Sequence, residues 1–489
     1  MKTAAQHVAS LRDGREVYFD GERVADVTEH PAFRNAVRSV AGLYDENNLR
    51  PEKQTFKSPT SGERVSRFWE LPRSFKDLVG RRDASIGWAE RTLGMMGRSP
   101  DHVGSSLAGM MMGIDVFRDH DKRRADALAD YFSHARDKDH YLSYVIINPQ
   151  ADRSRSASQQ ADEFVTAGIC DEDSQGITIK GAKMLGTGSV MSNEIMVSGF
   201  QQLQPGEDKY AFMACIPVNS RGLKLYSRRS YEAAAVSVFD NPLSSQFDEN
   251  DAVVYFDEVK IPWDRVFFYK DISMGQAQWH KTCAHVLQNH QCQARYVVKL
   301  RFLVGIARRI AEINGIVDFP QVRETLGLIA AKATSIESML HGMEAAGEQH
   351  NGYFAPNRVM LSASQVLSQE IYPEILNLIR QLSGGGMIMS PSSERDFANP
   401  EIARAISLTQ RSPAVSSYER VKFFKLAWDA VGSEFGSRHL QYEMFYSGPN
   451  FVTRGHVWRY FDWEGSQRLI QDFMSGYDAT AYQDKMIAE

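Results

Sequence analysis

After Trp279 the chain runs through four long stretches with almost no helix breaker. They are CAHVLQNHQCQARYVVKLRFLVGIARRIAEI, VRETLGLIAAKATSIESMLHGMEAA, VMLSASQVLSQEIYPEILNLIRQL and YERVKFFKLAWDAVGSEFGSRHLQYEMFY. Apolar residues recur in them at helical spacing, which predicts four helices of roughly 25 to 30 residues each. Each carries more than one apolar stripe, so each needs neighbours on several sides. The arrangement that supplies them is a four-helix bundle.

What precedes the bundle has a different period. Phe33, Ala36, Val37, Val40, Leu43 and Tyr44 mark one face of a helix after Pro31, and helical patterns continue to about residue 140. From Tyr144 to about Phe268 short β-branched or alternating runs take over, among them GITIKGAKML, EIMVSGF, YAFMACIPV and AVVYFDEVKIP, separated by PGED, NSRG and NPLSS. These predict a sheet or barrel of roughly six to eight strands. The expected organisation is α+β: an N-terminal helical domain (1–140), a central β-barrel-like domain (141–270), a four-helix bundle (271–450) and a C-terminal tail (451–489).

With 489 residues, more than one domain is expected. A formal net charge of −5 and the lack of any basic block interleaved with aromatics argue against a nucleic-acid partner. No run of 18 apolar residues and no secretory leader occur, so no membrane span is expected and the cytoplasm is the expected location. Four cysteines without a CxxC pair fit reduced thiols. No metal is expected: HExxH is absent, and His285 and His290 stand five apart instead of four. GTGS (186–189) lacks a third glycine and GGGM (384–387) follows a helix, so neither makes a dinucleotide-binding turn.

The order of helices, β-domain and bundle resembles the acyl-CoA dehydrogenase architecture, and VVYFDEVKIPWDRVF (253–267) resembles the end of its β-domain. Three motifs narrow this: GRSPDH (97–102), INPQADRS (147–154) and GSEFGSRHLQYE (432–443), with the phrases PLSSQFDENDAVVYFDEVKIPW and SGGGMIMSPSSERDFANPEI. Together they resemble the large oxygenating component of the 4-hydroxyphenylacetate 3-monooxygenase family, the two-component flavin-dependent aromatic hydroxylases. The likeness covers residues 1 to about 480. It implies FAD, used as FADH2 from a separate NAD(P)H:flavin reductase, molecular oxygen as co-substrate, and hydroxylation of a phenol ortho to its hydroxyl through a C4a-hydroperoxyflavin. A homotetramer is also implied, and uncovered bundle faces would favour one.

The resemblance assigns the flavin to Tyr144, Val145, Ile146, Gln150, Ala151, Asp152 and Arg153, with Thr187 and the segment Phe435, Gly436, Ser437, Arg438. The exit of the Tyr144 strand carries donors and acceptors that match a flavin edge, although Asn148-Pro149-Gln150 also reads as a plain turn with a surface Asp152–Arg153 pair. Arg438 could meet a phosphate, and Gly436 could allow close approach to a ligand or to another helix. Arg98 is assigned to the phenolate oxygen, because a guanidinium lowers a nearby phenol pKa by about 1 to 3 units. Asp101 could orient Arg98 or cap the helix after Ser99-Pro100, and capping is preferred. Ser198 is assigned to the substrate.

Where the family places a tyrosine four residues after the arginine and a histidine at the start of the β-domain, this chain has His102 and Tyr144. The exchange changes which group accepts the phenolic proton and separates the chain from the 4-hydroxyphenylacetate pattern. His290 is a second candidate base, in competition with a structural role. The substrate could be a free phenol or one tethered to a carrier protein. The alternatives are para-hydroxylating removal of a halide or nitro group, and an acyl-CoA hydro-lyase like 4-hydroxybutyryl-CoA dehydratase. The latter needs an iron–sulfur cluster, and cysteines are missing from the Arg98 region of the sequence.

Overall fold

The computed structural model describes residues 1–477. The tail expected over 451–489 is therefore described only in part: helices Asn450–Tyr460 and Trp463–Ser475 fall within it, and 478–489 lie outside the described residues. The helix expected after Pro31 spans Arg34–Leu49, and all its marked positions from Ala36 to Tyr44 are buried.

The central domain is two packed sheets. The larger orders its strands as Glu22–Val24, Glu16–Phe19, Leu223–Ser227, Ala252–Pro262, Gly176–Lys183 and Gly168–Asp173; the smaller as Val266–Tyr269, Phe212–Pro217, Glu194–Val197 and Leu142–Val145. Val17, Ile179, Leu225 and Val254 of the first share one core with Val197, Phe212 and Ala214 of the second. Eight of these strands lie between residues 141 and 270, and the first two do not. The N-terminal section is thus not wholly helical. EVYFDGERV folds as a hairpin around Asp20-Gly21, both with positive φ (51° and 81°), and Glu16–Phe19 pairs in parallel with Leu223–Ser227. The signal was present in the Asp-Gly dipeptide flanked by alternating residues, the common two-residue hairpin turn.

The bundle helices are Ala284–Ile313, Pro320–Ala345, Arg358–Ser383 and a fourth that is broken into Ser417–Val431 and Glu434–Phe445. The break has a local cause: Gly432 follows the first half, and the Ser433 hydroxyl caps the second by accepting from the Gly436 amide. Leu300, Ile306, Ile310, Ile336, Leu340, Tyr372, Ile375 and Phe424 fill the core between these helices. Among the described residues no helix is long and apolar enough to cross a membrane.

One contact sets the position of the Arg98 segment. The helix Pro100–Met112 lies against the start of the bundle so closely that a Cβ on Gly109 would sit 2.3 Å from the Cys283 carbonyl oxygen. Backbone cannot yield as a flexible side chain can. Gly109→Ala should therefore lower stability by about 1–3 kcal/mol, read as a drop in calorimetric Tm.

Candidate active site

Four elements converge on Arg98. It directly precedes the helix Pro100–Met112, whose first turn carries His102 one turn further on. The strand Leu142–Val145 brings Tyr144, the bundle helix Ala284–Ile313 brings Gln288, Gln291, Cys292 and Arg295, and the broken fourth helix brings Tyr442 and Tyr446. The Arg98 backbone is held at both ends: its amide donates to Glu249 Oε1 at 2.6 Å, and its carbonyl accepts from the Tyr141 hydroxyl at 2.7 Å. The guanidinium lies over the Tyr446 ring at 3.8 Å, faces the Tyr144 ring at 5.3 Å and donates to the Tyr446 carbonyl at 3.0 Å. Its second nitrogen donates to His102 Nε2. Burial opposes the charge on Arg98, but the surrounding tyrosines raise its pKa, so it is a cation at every working pH.

A hydrogen-bond chain fixes the state of His102. Asp101 Oδ1 accepts from the Ser99 hydroxyl at 2.6 Å and from Gln291 Nε2 at 3.1 Å. That turns the Gln291 carbonyl oxygen toward His102 Nδ1, 3.2 Å away, so Nδ1 carries the hydrogen. Nε2 is left as an acceptor, taking Gln288 Nε2 at 2.9 Å and the Arg98 guanidinium. Burial first, and the Arg98 charge second, hold the His102 pKa well below its ordinary value. The result is a neutral imidazole whose basic nitrogen points at a cation. Its ring lies 5.4 Å from that of Tyr144, whose hydroxyl burial raises in pKa.

The exchanged pair His102 and Tyr144 therefore meets around Arg98. Other assignments change. His290 is turned to the opposite side, where Nε2 contacts Glu344 Oε1 at 2.7 Å, and Glu344 is also paired with Arg82; the positions facing His102 are Gln288, Gln291 and Cys292. Asp101 neither caps its helix nor touches Arg98 but holds Gln291, and the Ser99 side chain makes no capping bond. The Ser198 hydroxyl is exchanged with the Gln278 amide. Cys292, far from Arg98 in the sequence, packs 3.9 Å from His102 Nδ1, and burial pushes its thiol up to about 11.

The flavin segments divide. Val145 is buried, and Ile146 packs half-buried against the neighbouring core. Gln150, Ala151, Asp152 and Arg153 form an exposed loop in which Asp152 accepts from Ser154 and pairs with Arg155. Thr187 and Arg438 are joined through one carboxylate: the Thr187 hydroxyl donates to Asp251 Oδ1 at 2.6 Å, and Arg438 grips both Asp251 oxygens and Glu249. Arg438 is thus committed to carboxylates instead of standing free for a phosphate. Gly436 serves a helix crossing, since a Cβ there would meet the Ala430 backbone at 2.9 Å. Phe435 packs against His439. Ser437 lines a solvent-open cleft of about 530 Å³ with Arg228, Arg229, Tyr231, Gly432, Glu434 and Arg438. The cleft adjoins the Thr187–Asp251 pair through Arg228, which also binds Asp251. All three guanidiniums of the cleft are paired with carboxylates, Arg228 and Arg438 with Asp251 and its neighbours and Arg229 with the exposed Glu434, so of the three only the surface Arg229 can turn to a dinucleotide's diphosphate.

Residues 3–268 match the family profile described as 4-hydroxyphenylacetate 3-hydroxylase N terminal, and residues 276–475 match its C terminal counterpart. The 4-hydroxyphenylacetate 3-monooxygenase oxygenase component of Geobacillus sp. (strain PA-9) is 34% identical over 97% of both chains. A Streptomyces globisporus monooxygenase of a (3S)-3-amino-3-(3-chloro-4-hydroxyphenyl)propanoyl group on a peptidyl-carrier protein is 36% identical over 92% of this chain and 86% of its own. The crystal structure of a 4-hydroxyphenylacetate 3-monooxygenase oxygenase component complexed with FAD and 4-hydroxyphenylacetate superposes with a TM-score of 0.92 at 29% identity, covering 97% of this chain and 99% of that one. Both halves of the sequence match the family's profiles, and the chain belongs to the 4-hydroxyphenylacetate 3-hydroxylase family.

Proposed function

We propose that this chain is the oxygenase component of a two-component monooxygenase, which hydroxylates a phenolic substrate ortho to its hydroxyl with FAD and molecular oxygen. The observation that carries this reading is the half-buried Arg98 guanidinium set against a neutral His102, whose Nε2 acceptor faces that cation. Bound reduced FAD supplies the electrons and activates the oxygen. The chain's own residues prepare the phenol. Arg98 stabilises the phenolate, which raises electron density at the ortho carbon, and as its guanidinium turns from His102 to the phenolic oxygen, Nε2 is released to receive the phenolic proton. Asp101 acts through Gln291 to keep the hydrogen on Nδ1. Tyr446 and Tyr144 flank the guanidinium and limit its contact with water, which strengthens its hold on an anion.

Tyr144, Val145 and Ile146 with Thr187 are the segments we assign to the flavin, with Ser437 and Arg229 at its diphosphate and the Gln150–Arg153 loop beside the strand exit. The reduced flavin is taken to come from a separate NAD(P)H:flavin reductase; the Gly384–Met387 glycines form a helical turn at the end of Arg358–Ser383. A homotetramer working in the cytoplasm completes the proposal. Exposed Phe451, Trp458, Leu469, Ile470 and Phe473 on the two C-terminal helices support association, and native mass spectrometry reads its order. The His102–Tyr144 exchange favours a substrate other than 4-hydroxyphenylacetate, and the carrier-linked substrate of the Streptomyces relative puts tethered phenols on the panel to be tried.

The test is product analysis after mixing the protein and anaerobically reduced FAD with ¹⁸O₂ and a panel of free and carrier-linked phenols. A catechol carrying one labelled oxygen is the expected product. Release of halide or nitrite would instead mark the para-directed variant, and conversion of all oxygen to hydrogen peroxide with every phenol would overturn the proposal. A pH profile adds a second check. Because His102 is held below its ordinary 6.5, the acid limb of hydroxylation should lie below pH 6.5, and the rate should be flat across the range where an unperturbed histidine titrates.

A further inference from the structure

A second cluster of chemical groups lies where the strands Leu142–Val145 and Glu194–Val197 begin. His134 sits in the last turn of the helix Lys122–Asp137, His140 follows in the turn that leads into Leu142–Val145, and Glu194 opens the strand Glu194–Val197. The three side chains offer ligand atoms that all lie within 4.8 Å of one another. His140 Nδ1 is buried and has no hydrogen-bond partner, and it stands 3.6 Å from Glu194 Oε1. That separation is long for a hydrogen bond. It suits two ligands of one cation, because bonds of about 2.0–2.1 Å in a tetrahedron put neighbouring donor atoms about 3.4 Å apart.

The carboxylate is already oriented for such a role. Tyr131 donates to Glu194 Oε2 at 2.7 Å, and Arg265 donates to the same oxygen. Oε1 is left facing the imidazoles. A ligating carboxylate held through its other oxygen is the usual second layer of a metal site. His134 is exposed, which leaves the cluster open to solvent on one side. No residue spacing marks the set, because Glu194 reaches the histidines only through the parallel pairing of Leu142 with Glu194.

We propose that His134, His140 and Glu194 form a binding site for a borderline divalent cation, zinc above all, which clamps the end of the Lys122–Asp137 helix to the strand pair carrying Tyr144. Two imidazoles and one carboxylate are the donor set zinc favours, whereas magnesium and calcium prefer oxygen alone. The site takes no part in the hydroxylation and stands whether or not that assignment holds.

Isothermal titration of the chelator-treated full chain with zinc chloride tests it. One equivalent per chain should bind, thermal stability should rise with zinc by mass action, and cobalt should give the visible absorption of a four-coordinate ion. His134→Ala and His140→Ala should each weaken binding at least tenfold and abolish the thermal shift. His456→Ala serves as the control, because His280, His285 and His456 form another imidazole cluster with ring centroids 5.0–5.4 Å apart. It should bind zinc as the parent does. His134 is exposed, so its variant keeps the fold and decides the matter even if His140→Ala does not fold. Absence of a stoichiometric step in the parent, unchanged binding in His134→Ala, or loss in His456→Ala alone would each overturn the proposal.

Discussion

Replacing Arg98 by alanine is expected to cut catechol formation by about 10²–10³-fold while reduced FAD is still oxidised, so that hydrogen peroxide replaces product. A phenol has a reference pKa of about 10, and the guanidinium is asked to lower it by about 1 to 3 units, which alone changes the phenolate population by about 10 to 10³ near neutral pH. The backbone of residue 98 is bonded to Glu249 and Tyr141 and stays in place when the side chain is cut, so the loss reports on the charge and not on the loop. Arg98→Lys should recover only part of the rate, because an ammonium cannot both lie over the Tyr446 ring and serve the Tyr446 carbonyl and His102 together. The pH profile distinguishes this role from a structural one. Burial and the Arg98 charge both depress His102, so removal of the charge should move the acid limb of the residual activity up toward 6.5, while burial keeps it from arriving. A variant with unchanged product yield per flavin would exclude Arg98 from the reaction.

How far the site could be read from sequence depended on whether its parts were neighbours on one element. Arg98 and His102 are separated by one helical turn, and the motif delivered both to the same place. The bundle helix shows the opposite case. At 3.6 residues per turn, a slip of one residue rotates a side chain by about 100°, so the step from His290 to Gln291 separates a partner of Glu344 from a partner of His102. Tyr442 and Tyr446 were missed although they continue the four-residue spacing that begins at Arg438; that spacing marks a helix face but does not say what it faces. Glu249 and Asp251 could not be found at all from spacing. They acquire their roles from Arg98, Thr187 and Arg438, which the chain supplies from distant segments. The long helices were legible because their apolar stripes are local, and the hidden break at Gly432-Ser433 was a local signal too, outweighed by the helical pattern on both sides.

The buried charges behind the site should dominate its stability. Glu443, 4% exposed, accepts from Arg295 and from Lys299 at 2.7 Å, and both cations are themselves buried. Burial pushes the Glu443 carboxyl up, yet Arg295 and Lys299 together pull it down to about 2. Its folded value thus lies below the ordinary 4.5, so its stabilisation is complete above about pH 4.5 and is lost as pH falls through about 2. Glu443→Gln keeps the shape and removes the charge, leaving two buried cations facing each other. The expected cost is about 3–5 kcal/mol, measured by denaturant unfolding at neutral pH. The difference from the parent should shrink in acid, as the parent's own carboxyl becomes protonated. Activity should fall as well, because the Arg295 guanidinium that Glu443 fixes lies 4.6 Å from the Tyr446 ring, and that ring also carries Arg98. A loss below about 1 kcal/mol would mean that Arg295 and Lys299 find other partners or water on mutation, and that the Tyr446 platform is held by packing and not by this carboxylate.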